Sequence, residues 1–172
     1  MLISAEQIRR RVEELGEAIA KDHPDGDLCL IGVLKGSFMF LADLVRTVPR
    51  SLRLDFITAA SYGASTQTSG EVRLLQDVAL ELSGRQVVVV EDIVDTGITL
   101  DYLLAHLRSK NPSSLRVAAL LDKPARHRRD VPIDYVGFRI GDEFVVGYGL
   151  DLAEDYRQLP DIYVVAPRSA GA

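Results

Sequence analysis

The stretch "VVVVEDIVDTGITL", residues 87–100, decides the fold of this chain and locates its site. Its four valines predict a strand that is covered on both faces, which is typical of a parallel sheet. The strand ends on Glu91 and Asp92, and Asp95 follows in a turn that leads through Gly97 into an amphipathic helix. Three carboxylates at the end of a buried strand indicate that something binds there or gives up a proton there.

The rest of the chain alternates between strand and helix patterns with short connections. The first helix opens with a capping box, in which Gln7 follows three residues after Ser4. The alternation predicts an α/β fold, a mostly parallel sheet with helices on both faces. Residues 62–70, which are rich in Ser, Thr and Gly, predict a long mobile loop. The patterns predict strands at 27–34, 52–61, 84–93, 114–123, 133–140 and 161–166, and helices at 4–22, 36–48 and 97–110.

The composition favours a single globular domain of 172 residues. No apolar stretch approaches the roughly 18 residues that cross a bilayer. The net charge of −5 argues against a general nucleic-acid or membrane-surface binder. The single cysteine, Cys29, cannot form an internal disulfide, so we expect a reducing cytoplasm. One cysteine and three separated histidines argue against the usual kind of zinc site.

The acidic turn has the composition of a site for a phosphorylated sugar. The first amide groups of the helix lack partners within it and lie at its positive end, where a phosphate binds well. Gly97 lets the backbone approach that phosphate, and Thr96 and Thr99 add hydroxyl donors. Because like charges repel, the acids must face sugar hydroxyls, a hydrated Mg²⁺ or a titratable proton. Asp95, inside the turn, is placed to act as a base.

Two other interpretations of the turn stay open. In the first, Glu91 and Asp92 are ordinary strand-end acids and Asp95 is a helix cap. In the second, "DTG" (95–97) belongs to an aspartic protease, which needs a second such motif and an all-β setting. The chain has one copy, in a strand-to-helix setting. It contains neither GxxxxGK[ST] nor GxGxxG, so the usual nucleotide-binding loops are absent.

Four stretches, in order, resemble type I phosphoribosyltransferases of the hypoxanthine/guanine branch. The acidic turn resembles their phosphoribosyl-diphosphate signature, and "GVLKGSFMFLADLVR" (32–46) resembles their pyrophosphate loop. "SYGASTQTSGEVRLLQD" (61–77) resembles the flexible catalytic loop, and "LLDKPARH" with "DYVGFRIGDEFVVGYGLDLAEDYRQLP" resembles the purine-binding half. The resemblance implies one domain over 1–172, with a core of about 28–130 plus 161–166. A small hood would comprise the N-terminal helix and about 131–160.

The resemblance also implies a role for each residue of the site. Asp95 is the proton acceptor at N7 of the purine, and a cis peptide is expected at Leu34–Lys35. The remaining roles are 5′-phosphate binding for Asp95, Thr96, Gly97, Ile98 and Thr99; ribose and Mg²⁺ binding for Glu91 and Asp92; pyrophosphate binding for Lys35, Gly36 and Arg157; purine binding for Lys123, Phe144, Val145 and Asp151; a second Mg²⁺ for Asp151; and loop closure for Ser61 and Tyr62.

Plainer alternatives to these roles stay open. They are loop organisation for Asp95, a solvated charge for Lys35 or Arg157, core packing for Phe144, and an ordinary turn at 61–63. The basic run "RHRR" (126–129) is interpreted as a solvated loop, or as one that faces an acidic neighbouring subunit.

The activity that the resemblance implies is Mg²⁺-dependent purine salvage. Hypoxanthine, with guanine beside it, would displace pyrophosphate from 5-phosphoribosyl 1-diphosphate and give IMP or GMP. Lys123, donating to a 6-oxo group, would reject adenine by a polar mismatch. The family is oligomeric, so a homodimer or homotetramer is expected, without nucleic-acid or membrane partners.

Two rival activities stay open. One is transfer to another 6-oxopurine such as xanthine. The other is a regulator that binds phosphoribosyl diphosphate and represses genes or binds RNA. About 27 residues precede the first predicted strand, too few for the winged helix that such repressors carry.

Overall fold

The computed structural model describes residues 1–62 and 71–166. A short 3₁₀ turn, Pro124–Arg126, follows the fifth strand. In chain order, the helices and strands are α1 (Ala5–Asp22), β1 (Leu28–Leu34), α2 (Phe38–Thr47), β2 (Arg53–Tyr62), β3 (Glu71–Gln76), β4 (Gln86–Val94), α3 (Ile98–Arg108), β5 (Ser114–Asp122), β6 (Tyr135–Arg139), β7 (Val145–Val146) and β8 (Tyr163–Val164).

Six strands form one sheet in the order β3-β2-β1-β4-β5-β6. Every neighbouring pair is parallel except β2 and β3, which are antiparallel. The predicted α/β fold with a mostly parallel sheet is therefore confirmed. The sequence patterns missed β3, which pairs with the end of β2, and the predicted loop beyond Tyr62 lies outside the described residues.

The valine run of β4 explains why helices lie on both faces of the sheet. Val88 and Val90 pack into one core with α1 and α2, whereas Val87 and Val89 pack into a second core with α3. All four valines are fully buried. Because successive side chains of a strand point to opposite faces, an unbroken apolar run needs a cover on each side.

The N-terminal helix begins as the capping box predicts. The Gln7 amide donates to Ser4 Oγ at 3.3 Å, and the Ser4 amide donates to Gln7 Oε1 at 2.9 Å.

Among the described ranges, no helix is long and apolar enough to cross a membrane.

Two strand pairings lie near the boundary expected between core and hood. β6, which is expected in the hood, continues the main sheet because it forms a parallel ladder with β5. Residues 161–166, which are expected in the core, contain β8, and β8 pairs with β7 in a separate two-stranded sheet. The Leu2 amide also donates to the Ile162 carbonyl at 2.8 Å, which ties this sheet to the N-terminus.

The connections of β1 and β4 create a crevice between these two neighbouring strands. The chain leaves β1 through α2 on one face of the sheet and leaves β4 through α3 on the other face. The strand order therefore reverses between β1 and β4. Ligands of open α/β sheets bind outside the carboxyl ends of the strands at such a switch point.

Candidate active site

A cavity of about 260 Å³ lies at this switch point. It is bounded by the carboxyl ends of β1 and β4 and by the start of α3. The predicted ribose acids line this cavity. All residues of the predicted phosphate turn except Ile98 line it too. The lining residues are Val33, Leu34, Gly36, Ala59, Glu91, Asp92, Ile93, Val94, Asp95, Thr96, Gly97, Thr99 and Leu100.

The loop after β1 packs tightly against the acids of β4. The peptide bond Leu34–Lys35 is cis, as the resemblance implied. A Cβ atom at Gly36 would overlap the Asp92 carboxylate, and a Cβ atom at Gly149 would overlap the Gly36 carbonyl oxygen. Both glycines are therefore required by close approach.

Burial changes the proton affinity of the two acids at the end of β4. Glu91 is 8% exposed, and its Oε2 atom has no hydrogen-bond partner in the part of the chain that the structure describes. Burial raises the pKa of Glu91 well above its ordinary value, and the charge of Asp92 adds to this rise. Burial raises the pKa of Asp92 to about 6, although the Ile93 amide and Arg157 favour its charged form. A cation or hydroxyl donor at these oxygens would restore their charge.

The turn after β4 presents donors in the way that a phosphate site needs. Gly97 has a φ of 76°, in the left-handed region, and is the N-cap of α3 without a capping side chain. The Ile98 amide donates to Thr96 Oγ1 over a long 3.4 Å. Because Thr96 and Thr99 line the cavity, the first turn of α3 offers amide and hydroxyl donors to an anion at its positive end.

Asp95 lines the cavity but is paired with a basic residue outside it. Its Oδ1 atom accepts a hydrogen bond from Arg126 Nε at 2.8 Å, and Arg126 Nη1 lies 3.1 Å from Asp142 Oδ1. The Asp95 side chain is 40% exposed, so it stays accessible to a ligand. Interpreting the basic run as a free solvated loop misses this pair.

Lys35 and Arg157, both predicted to bind pyrophosphate, meet at Glu154. Lys35 Nζ lies 3.0 Å and Arg157 Nη2 lies 3.2 Å from the same atom, Glu154 Oε2. Arg157 Nη2 also lies 2.9 Å from Asp151 Oδ1, and Nη1 donates to the Gly149 carbonyl at 2.7 Å. The structure thus brings Lys35, Arg157 and Asp151 into one cluster.

Lys123 follows β5 and is 5% exposed. Its amide donates to the Val94 carbonyl at 2.9 Å, which places it beside the end of β4. The preceding Asp122 is buried, and its Oδ1 lies 2.9 Å from His127 Nε2, although these atoms are not aligned for a hydrogen bond. Within 1–62 and 71–166, the ion pairs nearest this position are made by Asp122, and none includes Lys123.

The predicted stacking residue lies outside the 260 Å³ cavity. Phe144 is 53% exposed, which excludes core packing, and it borders a groove of about 1040 Å³ with Tyr156 and Val164. Val145 is buried in β7. Ser61 and Tyr62 end β2, and the loop that they lead into is not described.

Three side chains of the site carry no sequence signal that singles them out. They are Arg126 and Glu154, which contact the predicted site residues Asp95 and Lys35, and Asp142, which contacts Arg126. Arg126 and Asp95 are 31 residues apart in the chain, and Glu154 and Lys35 are 119 apart. The basic run and the position of Glu154 three residues before Arg157 are the nearest local hints.

The acids suit Mg²⁺ if a ligand supplies further oxygen atoms. The buried, unpaired Glu91 Oε2 and the neighbouring Asp92 are hard oxygen donors. Among the described residues, no three His, Cys, Asp or Glu side chains enclose a metal ion by themselves. Mg²⁺ usually takes one or two carboxylates together with waters and substrate phosphates. Glu91 and Asp92 fit that arrangement.

A mostly parallel sheet with an acid-lined switch-point cavity and a donor-rich turn after β4 fits an enzyme that binds a phosphorylated sugar. The family described as the phosphoribosyl transferase domain matches residues 3–153, and the chain belongs to this family.

Individual relatives have more specific names. The hypoxanthine-guanine phosphoribosyltransferase of Bacillus subtilis is 44% identical over 167 residues, covering 97% of this chain and 93% of that protein. The hypoxanthine phosphoribosyltransferase of Escherichia coli is 45% identical, covering 94% and 92%. A crystal structure of a hypoxanthine-guanine phosphoribosyltransferase from Bacillus anthracis has a TM-score of 0.92 and 48% identity, covering 96% and 98%.

Proposed function

We propose that this chain transfers the 5-phosphoribosyl group of 5-phosphoribosyl 1-diphosphate to N9 of hypoxanthine or guanine. The products are IMP or GMP and pyrophosphate. The observation that carries the proposal is 44–48% identity, over nearly the whole chain, to proteins named hypoxanthine-guanine or hypoxanthine phosphoribosyltransferase. The switch-point cavity, with acids on one side and a phosphate turn on the other, supports it.

In this reaction the protein binds and orients the substrates and forms no covalent bond with them. The amides and hydroxyls of residues 95–99 hold the 5′-phosphate, and Glu91 and Asp92 accept hydrogen bonds from the ribose hydroxyls. Lys35 and Arg157 neutralise the leaving pyrophosphate as the C1–O bond breaks. Asp95 accepts the N7 proton of the purine as the C1–N9 bond forms.

Mg²⁺ is the proposed cofactor. Glu91 and Asp92 would hold one ion, and Asp151 would hold another at the pyrophosphate. When bound, the ions neutralise charge that develops on the leaving group. The support for this is the oxygen donor set and the buried, unpaired Glu91 Oε2.

Selection of the base is assigned to Lys123, Phe144 and Val145. The Lys123 ammonium donates to the 6-oxo group that hypoxanthine and guanine share, whereas adenine presents a donor there and leaves the ammonium unpaired. Phe144 stacks on the base, and its exposure leaves the ring available. The Val145 backbone contacts the Watson–Crick edge.

A spectrophotometric assay tests the proposed activity directly. Hypoxanthine, guanine, xanthine and adenine are each supplied at equal concentration with 5-phosphoribosyl 1-diphosphate and Mg²⁺. We expect turnover of hypoxanthine and guanine, none of adenine, loss of activity in EDTA, and recovery with added Mg²⁺. Faster use of xanthine would favour the rival base. Tight binding of phosphoribosyl diphosphate without turnover of any base would favour the regulator.

We also propose a cytoplasmic homo-oligomer, a dimer or a tetramer. The family resemblance supports the assembly, and light scattering at several protein concentrations measures it. The one cysteine, Cys29, is buried, and burial raises the pKa of its thiol to about 11. A buried thiol of this kind is unreactive.

A further inference from the structure

Arg126 joins two parts of the site that are far apart in the chain. Its Nε donates to Asp95 Oδ1 at 2.8 Å, and its Nη1 lies 3.1 Å from Asp142 Oδ1. Asp95 belongs to the turn after β4, whereas Asp142 lies two residues before Phe144, the proposed stacking residue. One guanidinium therefore bridges the acidic turn and the segment that we assign to the base.

The backbone around Arg126 is fixed from both sides. Its amide donates to the Lys123 carbonyl at 2.9 Å, which closes the short turn after β5. The Arg128 and Arg129 amides both donate to the Thr96 carbonyl, at 2.9 Å and 3.2 Å. These bonds hold the segment against the phosphate turn. They therefore fix the backbone from which the Arg126 side chain reaches Asp95.

The pair leaves part of the Asp95 carboxylate open. Arg126 Nη2 is 3.5 Å from Asp95 Oδ2, at the limit of a hydrogen bond, so the short contact is made to Oδ1 alone. A carboxylate accepts several hydrogen bonds. Oδ2 therefore remains able to receive the proton of a purine while Oδ1 stays fixed. The rigid fork of Arg suits this orienting role better than the flexible Lys does.

We propose that Arg126 is a positioning residue for the transfer reaction. It orients Asp95 toward the base. Through Asp142, it also holds the base-binding segment in a fixed position relative to the acidic turn. The inference rests on the proposed function, because Asp95 has a proton to accept only if a purine is bound beside the turn.

A double-mutant cycle between Arg126 and Asp95 tests the inference by steady-state kinetics. We expect Arg126→Gln to lower kcat about tenfold and to change the KM for 5-phosphoribosyl 1-diphosphate less than about threefold. Arg126→Lys should recover part of the loss. In an Asp95→Asn background, Arg126→Gln should change kcat less than about twofold, because the group that it orients is gone.

A second cycle keeps the test readable if Asp95→Asn is too slow to measure. Asp142→Asn should lower kcat by itself and have little further effect in an Arg126→Gln background. Arg10→Gln is the matched control, since Arg10 forms an exposed pair with Glu6 at 2.8 Å on α1, and its kcat should not change. Melting temperatures establish that each variant is folded.

The outcomes separate this inference from the proposed function. An inactive wild-type protein contradicts the proposed function, whatever the variants do. An active wild type whose kcat is unchanged by Arg126→Gln overturns the role of Arg126. Losses of equal size in the wild-type and Asp95→Asn backgrounds also overturn it, because Arg126 would then act through something other than the Asp95 carboxylate.

Discussion

Glu154 holds, with one oxygen atom, the two cations that we assign to pyrophosphate. Lys35 and Arg157 both contact Glu154 Oε2, and together they lower the pKa of this carboxyl, Lys35 having the larger effect. The Glu154 amide donates to Asp151 Oδ2 at 2.8 Å, and its φ of 72° is left-handed. The residue is therefore held where it meets both cations. We expect a bound pyrophosphate to displace this carboxylate.

Replacing Glu154 by Gln should strengthen the binding of pyrophosphate. The competing charge is removed, while the side chain keeps its size and the backbone keeps its geometry. Because Glu154 and Lys35 are solvent-exposed, we expect a gain of only about two- to fivefold in affinity. Calorimetric titration with Mg²⁺ and pyrophosphate measures it. Glu17→Gln, an exposed acid on α1, is the control, and weaker binding by Glu154→Gln would show that Glu154 helps to hold the ligand.

Asp92 makes the stability of the ligand-free protein depend on pH. Its pKa rises from 3.8 to about 6 on folding, so between about pH 4 and pH 6 the folded state holds a proton that the unfolded state has lost. Stability from this group therefore falls as pH rises through that window and is level above it. The raised pKa of Glu91 acts in the same direction.

The Asp92→Asn variant isolates this effect. We compare the free energy of unfolding of the wild type with that of the variant. The wild type's value minus the variant's should fall by at most about 3 kcal/mol between pH 4 and pH 6. One unit of pKa difference corresponds to about 1.4 kcal/mol. Urea unfolding in EDTA, with no substrate, at several pH values gives the difference. A constant difference across the window would mean that folding does not raise the pKa of Asp92.

Lys123 should decide which purines are accepted. With Lys123→Met, the unpaired ammonium that penalises adenine is gone, and so is the donor to a 6-oxo group. We expect the ratio of kcat/KM for hypoxanthine over adenine to fall by about tenfold to a hundredfold. Lys21→Met on α1 is the control. A selectivity equal to that of wild type would assign base recognition to other residues.

At the scale of elements, the site depends on how closely β1 and β4 approach at their carboxyl ends. Gly36 touches the Asp92 carboxylate on one side, and its carbonyl oxygen meets Gly149 on the other. The loop after β1 thus lies between the acids of β4 and the C-terminal part of the chain. Any side chain at 36 must move one of these neighbours.

Gly36→Ala should therefore damage activity more than stability. The new methyl group would push the Asp92 carboxylate away, and a displacement of about 1 Å lowers turnover by about a hundredfold. Gly26→Ala is a matched control, because Gly26 has a φ of 82° but its Cβ would meet only the Gln86 side chain, at 3.5 Å. That variant should be slightly destabilised and fully active. Equal activity in both variants would contradict the close packing at Gly36.

Elements whose signal is local were predictable from the sequence. β4 and α3 follow from four valines and a glycine turn, and α1 follows from its capping box and its spacing. β3 was missed because "EVRLLQ" has no apolar core pattern, and its Leu75 is 57% exposed. Its strand form depends on pairing with β2, a contact that the local sequence does not encode. For the same reason the local sequence does not encode the pairing of β6 with β5 or of β8 with β7.

At the scale of the whole molecule, the candidate site is assembled from four distant segments. That the acids and the following turn line one cavity was predictable, because they are contiguous at 91–99. The cluster of Lys35, Glu154 and Arg157 was not, because it depends on the fold bringing together Lys35 and Glu154, which are 119 positions apart. The pairing of exposed charges is also weak, so local chemistry does not determine which acid meets which base.

We expect Arg11, on α1, to limit the association of copies of this protein in concentrated solution. Among the residues that the structure describes, β6 is the last strand of the main sheet, and Arg11 donates to its Val136 and Gly137 carbonyls at 2.7 Å and 3.0 Å. Open strand edges recruit other chains, and aggregation follows. Arg11→Met, which removes the donors and keeps the stem, should make warmed samples scatter light sooner than wild type or Arg10→Met. Unaltered scattering would mean that the helix itself shields the edge without help from the guanidinium.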